Sequence, residues 1–284
     1  MKHIRLHLWM LIFVLWLVLY SLFIGQPLAA ALGITSAIDR STLNTIMLFL
    51  PLLIAYPLIH KNPGIKVYPL KISSAHNIIW SIVIGAATVV VAAFVYMLPW
   101  VSTAMVEGFM VYPLWILILS AGLLTGVLDG LFFRGVLVGD YKHNGVSVLH
   151  IAVIVSIFST FIYSNPIIVL IVMMIMRIAW TFMTLWTKSV FPAILGHVMA
   201  NIGVVIILSI FINSNNQGTI RLLFGILTVI AVVVTGFGLK SMKARYEKLY
   251  SSEVSLVETK PLKQVYNWLF WVIIAFLMIV IQIL

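Results

Sequence analysis

Long apolar runs decide what this chain can become. A helix crosses a bilayer with about 17 to 25 apolar residues, and runs of that order follow one another at 8–32, 42–59, 77–98, 112–138, 146–163, 166–186, 189–212, 219–239 and 265–284. Lipid offers no hydrogen-bond partners, so each such run must satisfy its own backbone as a helix. The expected fold is all-α, a polytopic membrane bundle of about eight to nine transmembrane helices. The first run exceeds the roughly 7 to 15 residues of a signal-peptide core, which favours an uncleaved helix despite the small residues Ala29, Ala30 and Ala31.

The spacing of the runs sets the organisation. Residues 1–110 carry the N-terminal helices, 111–240 a membrane core, 241–264 a basic cytoplasmic linker, and 265–284 a C-terminal helix. Only 8% of residues are charged, against about 25% in a soluble domain. With no cysteine in the chain, disulfides, thiolate metal sites, cysteine nucleophiles and lipidated cysteines are excluded. The net charge of +10 does not point to nucleic acid, because the basic residues lie in short loops. Anionic lipid and membrane topology account for them.

Cytoplasmic loops carry an excess of Lys and Arg. An N-terminus in the cytoplasm, of a bacterial cell membrane by expectation, puts Lys2, Arg5, Lys61, Lys66, Lys71, Lys142, Lys188, Lys240, Lys243, Arg245, Lys248, Lys260 and Lys263 inside. Arg40 and Arg221 fall outside, and Arg134 and Arg177 within spans. Reporter fusions after Lys240 and after Leu284 are therefore expected to label opposite faces of the membrane. Labelling on one face would remove the last span.

The acids sort by the same division. Asp39 and Glu107 fall in outer loops, Asp140, Glu247, Glu253 and Glu258 in inner ones, and Asp129 alone lies within a span. Burying a charge at mid-bilayer costs roughly 2.5–3.5 kcal/mol on insertion scales, so intramembrane ions mark function or pairing. At 1.5 Å per residue, Asp129 lies about 13 Å from the inner end of its helix, His197 about 12 Å and Arg177 about 15 Å. Asn201 follows His197 by one turn, on the same helix face. Asp129, His197 and Asn201 are expected to line one polar cavity opening inward, with Asp129 and Arg177 as an ion pair. Gly122, Gly126 and Gly130 recur every four residues, a spacing that lets another helix approach closely.

These residues resemble motifs of the CPBP group of intramembrane endopeptidases, also called the Abi group, which includes the type II CAAX prenyl proteases and bacterial relatives linked to bacteriocin processing or self-immunity. LDGLFFRGVL resembles their first motif, E-E-x-x-x-R, with Asp129, Gly130, Arg134 and Gly135 in its places. FPAILGHVMANI resembles the last, H-x-x-x-N, with His197 and Asn201 intact. The resemblance covers 112–212 and implies a CPBP-like core. It also implies a catalytic set of Asp129, His197 and Asn201, with Arg134 in support and Arg177 as a possible partner of the acid.

The departures fall on the chemistry. In the family the first glutamate is taken to activate water, assisted by the histidine of an F-x-x-x-H motif. Here the acid is shortened to Asp129 and the second acid is Gly130, which leaves Arg134 without its usual partner. The middle motif aligns on Phe158 to Ile162, or on Phe161 to Asn165, and neither alignment supplies an imidazole. His150, nearer the inner end of that helix, is the remaining histidine to consider. If only chemistry is missing, Asp129→Glu, Gly130→Glu and Ile162→His together are expected to raise proteolysis.

No cofactor is expected. A catalytic zinc normally has three protein ligands, and only His197 and Asp129 qualify. There is no Gly-rich phosphate loop, and Ser120, Ser156, Ser159 and Ser209 read as small polar residues of membrane helices. The resemblance thus implies a degenerate endopeptidase that binds a membrane-associated peptide or protein, in bacteriocin immunity or cell-envelope protein handling. The alternatives are an active endopeptidase with Asp129 as base, and a small-solute transporter using Asp129 and Arg177.

Overall fold

The computed structural model describes residues 7–33, 67–101, 112–163, 166–254 and 262–283. The expected helix over 42–59 and the residues Asp39, Arg40, Glu107 and Asn165 lie outside them. The described chain is helical throughout, and among the described residues there is no strand.

Helix α1 spans 8–31, as the segments Leu8–Leu19, Tyr20–Ile24 and Gly25–Ala31. Helix α2 is Ala75–Tyr96, α3 Leu114–His143, α4 Val148–Thr160, α5 Ile167–Thr187, α6 Phe191–Ile212 and α7 Gln217–Val254. After the single turn α8, Leu262–Val265, the chain ends in α9, Trp268–Ile283. Five of these helices, α2, α3, α5, α6 and α7, are long and apolar enough to cross a membrane, which makes this an all-α membrane bundle. Helix α7 runs on past Leu239 through much of the stretch read as a linker, bending at Tyr250, where φ is −132°. There the Lys188 ammonium lies 3.6 Å from the Tyr250 ring centre.

Helix α6 is the axis of the bundle. On one side, side-chain atoms added at Gly122 and Gly126 of α3 would come within 2.6 Å of Ile202 and 2.7 Å of Val198, and one at Gly130 would overlap Ile194. Each step of four along α3 is matched by a step of four backwards along α6. The two helices are thus antiparallel, and the glycine row is the surface on which α6 lies. On the other side, Gly85 of α2 meets the backbone of Gly196, and Gly203 faces Val89.

Helix α3 is not a plain α-helix. Its turns at Ile118–Leu124 and Gly130–Leu137 are π-helical, a form found mostly as single wide turns at functional sites. Widened turns release backbone carbonyls, and three carbonyls of these stretches accept bonds from elsewhere. Thr125 Oγ1 donates to Ser120 O at 2.9 Å, Asn201 Nδ2 to Ala121 O at 2.9 Å, and Tyr68 N to Gly135 O at 3.1 Å. Through that last bond the segment at 67–71 is joined to α3. It is fixed on its other side by Val190 N to Pro69 O at 3.1 Å and Ser189 Oγ to Lys71 O at 2.6 Å.

A second core joins α1, the C-terminal half of α3, α4 and α9 through Phe13, Phe132, Phe133, Tyr141, Phe158 and Phe270. His7 closes it. Its Nε2 donates to Val265 O at 2.9 Å, and its Nδ1 accepts from the Tyr141 hydroxyl at 2.7 Å. Burial lowers its pKa from 6.5 to about 4, partly offset by the Val265 bond. Between those values the unfolded chain holds more protons than the folded one, so stability is full above pH 6.5 and is lost as pH falls toward 4. The loss is expected to reach at most about 3 kcal/mol. Unfolding in detergent across that range checks it, and His7→Phe is expected to flatten the profile.

Candidate functional site

Asp129 lies on α3 between its two wide turns and is fully buried. In an α-helix the residue one turn on is the fourth, but a π-turn brings the fifth round, and Arg134 Nη1 donates to Asp129 Oδ1. Arg134 therefore does have a partner, contrary to the reading that Gly130 had removed it. From α5, Arg177 Nη1 donates to Asp129 Oδ2 at 2.8 Å and to Ser159 O of α4 at 2.7 Å. The Tyr163 hydroxyl donates to the same Oδ2 at 3.3 Å. The acid is enclosed by two guanidiniums and a phenol, drawn from α3, α5 and the end of α4.

His197 approaches from α6. Its Nδ1 lies 3.9 Å from Asp129 Oδ1, too far for a hydrogen bond. Its ring stacks on Trp180 of α5 at 4.2 Å between centres, and the Arg134 guanidinium stands 5.4 Å from the same indole. Asn201 sits one turn along α6, with its amide nitrogen bonded to the released Ala121 carbonyl. Asp129, Arg134, Arg177 and His197 thus form one cluster, and Asn201 stands beside it, tied to α3.

Above the cluster is a cavity of about 480 Å³, whose lining includes Arg177, Trp180, His197, Asn201 and Tyr163. Asp129 is not part of its wall, so the three residues expected to share a lining do not. Its lining also takes in Tyr96, Tyr112 and Leu208.

Three other expectations meet the geometry. Phe158 and Ile162 turn into the second core, so the face of α4 toward the site is instead Ser159 followed by Tyr163. Gly130 has no room for a side chain against Ile194, which removes the basis for restoring a glutamate there. His150 bonds with Ser147 at 2.5 Å and meets the edge of Tyr266, away from the cluster. Sequence reasoning missed Tyr163 and Trp180. Their signal was their position, one turn from Ser159 and from Arg177 side by side with the site face, where an aromatic ring in an apolar helix attracts no notice.

In chemical terms the cluster can hold charge and offer donors. Among the described residues no group of three or more His, Cys, Asp or Glu side chains converges as a metal site would require. The comparisons agree with the motif pattern. Residues 79–203 match the family described as type II CAAX prenyl endopeptidase Rce1-like. No curated protein and no solved structure matches the chain. The matched stretch begins in α2, includes all of α3, α4 and α5 and ends within α6, so it contains the whole ionic cluster, and it is through this core that the chain is similar to the Rce1-like, CPBP family of membrane proteins.

Proposed function

We propose that this protein is a catalytically degenerate member of its family, which acts by binding a membrane-associated peptide or protein in bacteriocin immunity or cell-envelope protein handling. One observation carries the reading: both oxygens of Asp129 are already taken by cationic or phenolic donors. A general base must reach the water it activates within about 2.6–3.2 Å, whereas this acid is fully buried and is not part of the cavity wall.

The test is proteolysis in lipid discs. Wild-type protein and Asp129→Ala are incubated with apolar membrane peptides, and the products are read by mass spectrometry. The expected result is the same absence of cleavage in both. Fragments that require Asp129 would replace this reading with the active endopeptidase.

A further inference from the structure

We propose that the cavity above the cluster is a binding site for a long-chain carboxylate, a fatty acid taken from the lipid phase. This goes beyond the protein-partner reading and does not depend on it.

Charge is the first argument. Arg134 and Arg177 are 1% and 2% exposed, and among the described residues Asp129 is the only buried acid to balance them. One positive charge is left over where an uncompensated charge is costly. A second carboxylate makes the count two against two.

The donors are the second. Arg134 Nε and Nη2, Arg177 Nε, Trp180 Nε1 and His197 Nδ1 are buried with no hydrogen-bond partner, although buried polar groups are bonded in the large majority of cases. Arg177, Trp180 and His197 belong to residues of the cavity wall. An anionic oxygen is the acceptor that such a set lacks, and a planar carboxylate matches the fork of a guanidinium.

The walls decide what the carboxylate is attached to. Met173, Met176, Val204, Val205 and Leu208 make the sides. Of the lining hydroxyls, Thr88 bonds to Ile84 O at 2.8 Å and Thr125 to Ser120 O at 2.9 Å on their own helices, and Tyr163 bonds to Asp129 at 3.3 Å. A peptide would bring an amide N–H and C=O at every residue, each costly to bury without a partner. A hydrocarbon chain brings none. The volume of about 480 Å³ is within the roughly 300–1,000 Å³ of small-molecule sites.

The experiment measures saturable binding of isotope-labelled oleate to the full chain in phosphatidylcholine discs, with methyl oleate as the competitor of equal chain length and no charge. Oleate is expected to bind on the order of tenfold or more tightly than the ester, the ratio set by charged hydrogen bonds. Arg177→Met is expected to erase that preference. Ala92→Phe fills the apolar part of the cavity away from the ions, and is expected to abolish binding in a folded protein even if Arg177→Met does not fold. Equal displacement by the ester, or saturable binding that survives Ala92→Phe, would overturn the proposal. So would an apolar peptide with a free C-terminus that binds and that oleate cannot displace, a result that would leave the protein-partner reading standing.

Discussion

Gly130→Glu is expected to abolish the folded bundle rather than to restore a family active site. A side chain at 130 points at Ile194 of α6, and the new Cβ would overlap the Ile194 Cγ1. Overfilling a close-packed contact costs about 1–3 kcal/mol by itself, and here a carboxylate would be driven into an apolar helix contact as well. Gly130→Ala isolates the first of these costs and is expected to lower stability by that smaller amount. Gly218, at the start of α7 with nothing within 4 Å of an added side chain, is the control, and its change to alanine should leave unfolding unmoved. Size-exclusion profiles and thermal unfolding in detergent read all three. A monodisperse Gly130→Glu protein with wild-type unfolding would mean that α3 and α6 stand further apart.

Asp129→Asn is expected to destabilise the protein by about 3–5 kcal/mol, because removing one member of a buried ion cluster strands the others. Here it strands two guanidiniums, both buried and both bonded to that carboxylate. Arg177→Met is expected to cost less, since Asp129 keeps Arg134. Replacing all three charges, as Asp129→Asn with Arg134→Met and Arg177→Met, is expected to recover much of the loss. Denaturant unfolding in mixed micelles ranks the series. Equal stability of Asp129→Asn and wild type would show that the acid bears no structural load.

How much of this was legible in the sequence depended on which physical rule governed each residue. Apolar length placed the helices, and equal depth along two of them brought Asp129 and His197 together. The scarcity of buried acids paired Arg177 with Asp129 before any coordinates. The partner of Arg134 was hidden because sequence reading assumes 3.6 residues per turn, whereas the π-turn at Gly130–Leu137 brings the fifth residue round. The face of α4 was misjudged for another reason. Phe158 is equally at home in an active-site wall and in an aromatic core, and its choice was settled by His7 and Phe270, far away in the chain. The placement of the segment at 67–71 was not legible either. That segment is held by backbone bonds that almost any sequence could make, so it carries no periodic signal.

The central claim is that Asp129 is the anchor of an ion cluster and not a free base. A double-mutant cycle on Asp129→Asn and Arg177→Met tests it most directly. Their interaction predicts that the double variant is less destabilised than the sum of the two single changes, by about 0.5–3 kcal/mol. Purely additive losses would contradict the account, because Arg177 would then not hold the acid and Asp129 would again be available to activate water.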